Sequence, residues 1–186
     1  MGQVMIDIET LGRKPGCRVI QIGAVAFSLA RPFECEDSLI LNIDQFDPES
    51  MLFSVDEVTK AWWHDQSARV KETWQIPDKN SLRYCLEELG RFIQTNDSVW
   101  AKPVSFDLSI IRACYERLKM KNPWHWQNEM DARTAYQLLP AAGRDYVNGE
   151  LVEFRETMIE HYALDDAMEQ AWAVQLGMKW MRDRVW

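Results

Sequence analysis

The sequence predicts an α/β protein with a central mixed sheet, three antiparallel strands followed by parallel ones, flanked by helices. Three observations carry that expectation. The chain opens with three strand-like runs, VMIDI, VIQIGAVAF and SLILNI, separated by short connections. From residue 56 the apolar spacing becomes helical, and in this second part short strand-like runs alternate with helices. Strands joined by tight turns run antiparallel, whereas strands joined through a helix run parallel, so the two parts together imply a mixed sheet.

Residues 4–8 alternate, with Ile6 and Ile8 on one face and Asp7 and Glu9 on the other. Residues 19–27 form a second strand that tolerates Gly23, and residues 38–43 a third, with Pro32 and its polar neighbours supplying a turn. EVTKAWWHDQ and SARVKETW read as helices until Pro77 and Asp78 break the pattern. In residues 81–93, Leu82, Cys85, Leu86, Leu89 and Ile93 recur at spacings of three and four, an amphipathic helix. A short strand over 98–101 passes through Lys102 and Pro103 into a helix over 106–118, with Asp107 at its beginning. Residues 122–127 read as a loop, 130–139 as a short strand entering a helix, and the Gly and Asn content of 140–150 suggests a mobile loop. A last helix is expected from near Met158 to about Met181, striped by Ala163, Ala167, Ala171, Val174 and Met178.

At 186 residues the chain has the length of one domain, and residues 1–186 are expected to form a single unit. A composition 47% hydrophobic and 27% charged, with nine Trp, fits a folded globular protein and excludes a disordered one. The first residues show no basic leader ahead of an apolar run. The longest apolar stretch has about eleven residues, against the roughly 20 that a membrane helix needs. A cytoplasmic protein with no membrane partner is the expectation. The four cysteines form no CxxC pair and read as reduced structural thiols rather than a disulfide or zinc set. The net charge of −8 opposes nucleic-acid binding, unless carboxylates gathered at one site hold divalent cations, of which two would return four positive charges.

Asp7-x-Glu9 is a weak signal alone, since a half-exposed strand with a polar face would look the same. Two same-face carboxylates at the end of a central strand nevertheless repel unless a cation lies between them. Asp107 adds a third carboxylate, and HYALDD adds a histidine, His161, and two more, Asp165 and Asp166. On an ideal helix His161 faces Asp165, four residues on, better than Asp166, five on. Thr157-x-x-Glu160 is similar to a capping box that would start the helix before His161.

The series Ile6-Asp7-Ile8-Glu9-Thr10, then Ser105-Phe106-Asp107, then His161-Tyr162-Ala163-Leu164-Asp165-Asp166 resembles the three exonuclease motifs of the DEDD superfamily in its histidine-bearing form, DEDDh. The start at Asp7, the Trp62-Trp63 segment before Gln66-Ser67, and Asp131-x-Arg133-Thr134 narrow the resemblance to the exonuclease A of T-even bacteriophages and its exoribonuclease relatives. The resemblance implies an RNase H-like fold and a 3′-to-5′ exonuclease. Its substrate would be the 3′ end of single-stranded DNA or RNA, including 3′ overhangs, and its product nucleoside 5′-monophosphates. It also implies two Mg²⁺ or Mn²⁺ ions, held by Asp7, Glu9, Asp107 and Asp166, with His161 as general base. Hard cations suit such oxygen donors, and an imidazole titrating near neutrality suits a base. The family pattern thus selects Asp166 over Asp165. Thr10, Leu11 and Gly12 would lie against the terminal nucleotide, with Phe106, Trp62 or Trp63 and Arg133 as further substrate contacts; Trp74 is another stacking candidate. Adjacent Trp62 and Trp63 diverge on a helix, so at most one is expected to face substrate. Arg13, Lys14 and Arg18 form a basic cluster beside the first motif, which either guides phosphates or is a solvated loop. Relatives carry an asparagine where Pro103 stands here, next to Lys102.

The choice between DNA and RNA is open at this stage, as is the oligomeric state, with homodimers among the relatives. Two other functions compete, an RNase H-like endonuclease and a catalytically silent nucleic-acid-binding module. Retention of all five motif residues speaks against the second, and the absence of an added basic duplex-binding segment against the first.

Overall fold

Strands β1 (Gln3–Thr10), β2 (Val19–Phe27) and β3 (Cys35–Asn42) are antiparallel neighbours, while β4 (Ser98–Ala101) pairs parallel to β1 and β5 (Glu129–Asp131) parallel to β4. The order across the sheet is β3-β2-β1-β4-β5. The mixed sheet expected from the sequence is therefore present. The computed structural model describes residues 2–185, apart from the side chains of Trp74 and Val185.

Strand β1 is bonded along both edges and covered by helices on both faces, and that burial accounts for its β-branched or long apolar residues. Val4, Ile6 and Ile8 enter one core with Ile22, Leu41 and the apolar stripes of α3 (Leu82–Phe92) and α4 (Asp107–Arg117). Met5 enters a second core on the opposite face, with Val25, Trp100, Ala132, Ala167 and Ala171. Two of those alanines belong to α8 (Ala163–Val185), and Ala132 to α5 (Ala132–Gln137). Period-two alternation then puts Asp7 and Glu9 on the face that α8 covers.

Helices α1 (Glu57–Asp65) and α2 (Ala68–Trp74) follow β3, each opened by a side-chain cap: Asp56 accepts from the Val58 amide and Ser67 from the Val70 amide. Residues 140–150 are not a loop. They form α6 (Ala141–Glu150), which packs on α8 through Leu139, Val147, Leu151 and Leu176. The glycine taken as a sign of flexibility is there for close approach: a Cβ on Gly143 would lie 3.2 Å from the Trp180 ring.

The last helix also begins later than its periodicity suggested. A short α7 (Val152–Thr157) ends where the Thr157 hydroxyl donates to the Phe154 carbonyl, so Thr157 closes one helix and does not cap the next. A turn follows, in which His161 has φ 64, and α8 starts at Ala163. His161 therefore precedes the helix.

The position of that helix start is set by β2. Gly23 sits on the face toward α8, and a Cβ there would lie 2.1 Å from the Ala163 carbonyl oxygen. Two residues away on the same face, buried Gln21 accepts from the Ala163 amide at 3.0 Å and donates to Asn42 Oδ1 at 2.8 Å. One of the unpaired amides of the first helical turn is thereby satisfied by the sheet itself.

Gly23→Ala is expected to destabilise the protein by about 1–3 kcal/mol or more, because neither the strand nor the helix backbone can yield cheaply. Gly149→Ala provides the contrast. Nothing lies within 4 Å of a Cβ at that helical position. There the change is expected to stabilise by about 0.5–1 kcal/mol. Thermal or urea unfolding of both variants measures this, and equal effects would remove the close-approach argument.

Candidate functional site

Four carboxylates and a histidine meet at the C-terminal end of β1. Glu9 is 9% exposed and Asp107 only 2%, while Asp7, Asp166 and His161 are half-buried. Asp107 reaches the cluster from the first residue of α4, where its Oδ1 accepts from the Ile8 amide of β1 at 3.2 Å. Asp166 comes from the first turn of α8, and its Oδ2 accepts from the His161 amide at 3.0 Å. The left-handed backbone at His161 lets the chain turn so that amide and imidazole both face the cluster. One ligand atom from each of Glu9, His161 and Asp166 lies within 4.8 Å of the others, a set that could hold a metal ion.

The structure separates the two adjacent aspartates. Asp165 Oδ2 accepts from the Ile159 amide at 2.7 Å and closes the turn before α8, whereas Asp166 faces Glu9 and His161. The ideal-helix spacing that favoured Asp165 does not apply, because His161 is outside the helix.

Loss of solvent and mutual repulsion make the cluster hard to ionise. Asp7 is raised well above its ordinary value by burial and by the charges of Asp107, Glu9 and Asp166, against which a hydrogen bond from Gln170 works. Glu9 is raised by burial and by Asp166 and Asp107. Asp107 is pushed up to about 7 by burial, although the Ile8 amide and the Arg133 charge oppose this. Asp166 is pushed up to about 7 by burial, and by Glu169, Glu160 and Asp165 against the His161 amide. Oxygen donors held close, hard to ionise together and lacking an ion-paired cation are the donor set that a hard divalent cation suits.

Beside the carboxylates lies a groove of about 370 Å³, lined by Thr10, Gly12, Val58, Trp62 and Phe106 among others, with Glu9 at its edge. Gly12 is tight against Cys17, since a Cβ would lie 2.6 Å from that residue's Cβ. Trp62 is 42% exposed, and its ring stands edge-on to His161 with centroids 4.8 Å apart.

Several expected contacts are placed differently. Trp63 is 3% exposed, packs with Ile20 and Val70, and donates from Nε1 to the Thr10 carbonyl at 2.8 Å, so it is a wall rather than a face for substrate. Leu11 turns into that same apolar cluster, away from the groove. Trp74's side chain lies outside the described residues. Arg18 is used structurally, its two terminal nitrogens donating to the Gln45 and Phe53 carbonyls. Arg13 remains exposed at the groove, 3.8 Å from Asp56. Asp131 accepts from the Val104 and Thr134 amides and so ties β5 to the segment before Asp107. Arg133 is exposed, close enough to lower Asp107. Lys102 lies 3.7 Å from Glu169, a carboxylate it shares with Arg155. Cys17, Cys35, Cys85 and Cys114 are free thiols.

Sequence reasoning missed two glutamines. Gln21 holds the start of α8, and Gln170 donates to Asp7 Oδ1 at 2.7 Å. Gln170 was within reach, because it stands four residues after Asp166 and so shares that residue's helical face.

The mixed sheet in the order β3-β2-β1-β4-β5, flanked by helices, is the RNase H-like fold of known nuclease structures. Two solved structures share it. The nuclease domain of 3′hExo, a DEDDh family member solved bound to rAMP, matches with TM-score 0.58 at 13% identity, over 98% of this chain and 92% of that one. Cell-death related nuclease 4 (CRN-4) matches with TM-score 0.55 at 12% identity, over 98% of this chain and 64% of that one. No individually curated protein matches in sequence. Residues 2–178 match the 3′-5′ exoribonuclease Rv2179c-like domain, and the chain belongs to that family. It is a 3′-5′ exonuclease, and its substrate is nucleic acid. No helix among the described residues is long and apolar enough to cross a membrane.

The raised carboxylates couple stability to pH. A carboxyl raised from 3.8 to about 7 holds its proton more tightly in the folded state. Its stabilising contribution is complete below the ordinary carboxylate range and is lost as pH rises through about 7. The protein stripped of divalent cations is thus expected to lose stability from this site between about pH 4 and pH 7, and Mg²⁺ or Mn²⁺ to raise the melting temperature more at about pH 8 than at about pH 5. Calorimetry with and without chelator at the two pH values tests this. An equal metal-induced shift at both would show that the cluster does not bind the ion.

Proposed function

We propose that the protein hydrolyses single-stranded RNA from its 3′ end to release nucleoside 5′-monophosphates, acting as a single exonuclease domain over residues 1–186. The observation that carries this reading is the convergence of Asp7, Glu9, Asp107, Asp166 and His161 beside a groove of about 370 Å³ walled by an exposed aromatic ring. The RNA preference is supported by the family's description as exoribonucleases.

Asp7, Glu9, Asp107 and Asp166 are assigned as the residues that hold two Mg²⁺ or Mn²⁺ ions. Bound there, such ions supply positive charge to the scissile phosphate and polarise the attacking water and the leaving 3′ oxygen. His161 takes the proton of the attacking water, its ring held in place by Trp62. Trp62 and Phe106 flank the terminal base, and stacking on Trp62 is tolerant of base identity because every base has a π-face. Thr10 and Gly12 let the backbone of the β1 end approach the sugar closely. Arg133 is exposed and near enough for its charge to act on Asp107, so it would meet a phosphate of the bound strand.

Oligonucleotides labelled at either end, in RNA and DNA forms, test the reading with Mg²⁺ and Mn²⁺. Mononucleotides from the 3′ end, faster from RNA, are expected, and internal fragments would reject it. His161→Ala is expected to lower kcat by about 10²–10⁴-fold. Trp62→Ala is expected to raise KM by about 5- to 150-fold, the equivalent of one base stack of about 1–3 kcal/mol. Asp166→Ala is expected to abolish turnover while Asp165→Ala retains it; the reverse pattern would reassign the helix ligand.

A further inference from the structure

Helix α8 carries two buried glutamines whose surroundings differ. Gln175 is fully buried and lies against the β2–β3 connection, where it accepts from the Phe33 amide and donates to the Ser28 and Glu34 carbonyls. Its amide is satisfied at both ends and its task is to fasten a loop. Gln170 is 7% exposed, and its Nε2 donates to Asp7 Oδ1 at 2.7 Å. Its Oε1 is buried with no hydrogen-bond partner among the described residues. A buried acceptor left without a partner weakens a fold, and an apolar side chain of the same length would pack there more favourably. Gln170 is therefore poorly explained as a packing residue.

Its position on the helix suggests another task. Asp166 and Gln170 are four residues apart, on one face of α8 and separated by about 6 Å of helix rise. Asp166 belongs to the cluster directly, and Gln170 grips the strand carboxylate Asp7. A single rigid helix thus fixes one acidic residue of its own and one of β1. The bond to Oδ1 also orients the Asp7 carboxylate and leaves Oδ2 as its remaining oxygen. The neighbouring position shows why an amide serves here. Glu169 is a carboxylate, but Arg155 at 2.5 Å and Lys102 at 3.7 Å draw it away. An acid at 170 would instead add a fifth negative charge against Asp7 and could not donate when ionised.

We infer that Gln170 is a positioning residue, which sets the spacing and orientation of Asp7 relative to Asp166 for cation binding and phosphodiester hydrolysis. The inference rests on the metal-dependent reading of the site given above.

Mn²⁺ binding to the substrate-free protein, followed by calorimetry or by the electron paramagnetic resonance of free Mn²⁺, provides a readout separate from turnover. Gln170→Met keeps the length and volume but removes the donor, and Gln170→Asn keeps the amide but falls one methylene short of Asp7. Both are expected to weaken Mn²⁺ binding and lower kcat by about 10- to 100-fold, with KM for a 3′-end oligonucleotide within about twofold of wild type. Gln175→Met is the control: it is expected to lower the melting temperature while leaving Mn²⁺ affinity and kcat unchanged. If Gln170→Met does not fold, Gln170→Asn decides. Mn²⁺ affinity and kcat within about twofold of wild type in either folded Gln170 variant would overturn the inference while leaving the proposed function intact. A wild-type protein that neither binds Mn²⁺ nor releases mononucleotides would instead overturn that function, and the positioning role with it.

Discussion

Crowding of like charge at the end of β1 is the constraint around which the molecule is built. Asp7, Glu9, Asp107 and Asp166 arrive from three separate elements, and no lysine or arginine is ion-paired to any of them among the described residues. Repulsion of this kind can persist only where the backbone leaves the side chains nowhere else to go. Strand β1 is bonded on both edges, Asp107 is pinned to the Ile8 amide, and Asp166 is tied to the His161 amide. Each carboxylate thus has one hydrogen bond or a rigid element that directs it, and the one nearby positive charge noted, that of Arg133, acts on Asp107 without pairing with it. Such a cluster suits a divalent cation.

The docking of α8 converts this local constraint into a property of the whole fold. Its first turn presses on β2 where a glycine leaves room, Gln21 receives its leading amide, and Gln170 joins its second turn to β1. Ala167 and Ala171, both fully buried, keep the helix close to the sheet along the same line. Larger residues at those positions would lift the helix and carry Asp166 away from Glu9. The small residues of α8 and the acidic residues of the site are therefore two consequences of one close approach. The ionic contacts of the buried Glu169 also fasten this helix, to Lys102 just after β4 and to Arg155 of α7.

Where the sequence carried a strict period, the structure followed it closely. Alternation in β1 placed Asp7 and Glu9 together, and the three-and-four spacing of Leu82, Cys85, Leu86 and Leu89 marked α3. Its failures have physical causes. Residues 140–150 look loop-like because glycine is read as freedom, whereas Gly143 is small so that α6 can reach Trp180. The start of α8 was misplaced because Thr157 and Glu160 imitate a cap, while the true start is anchored by Gln21 from a strand about 140 residues earlier, a contact that local patterning does not encode. Of the site, the strand pair and Asp107 could be read directly from pattern and motif. The choice between Asp165 and Asp166 could not be made on helical spacing, because His161 lies in a left-handed turn before the helix. Trp62 and Trp63 differ in burial, but their rings touch with centroids 5.1 Å apart, and which of them is buried depends on the tertiary bond from Trp63 to Thr10.

The acidity of the chain fits this site. A protein of net charge −8 has little general attraction for a polyanion, so its hold on nucleic acid must come from local features. The groove offers mostly aromatic and small apolar surface, with Arg13 in its lining, while the Arg133 charge acts on Asp107 and Lys102 is paired to Glu169. Under the proposed function, stacking would retain a terminal base without a basic surface, and the carboxylates would repel phosphate until cations were in place. Internal stretches of a strand, with no free end to enter the groove, would gain neither the stacking nor the close approach. Selection for ends would then follow from the same arrangement of charge that suits the site to a cation, since a broadly basic surface would hold a strand anywhere along its length.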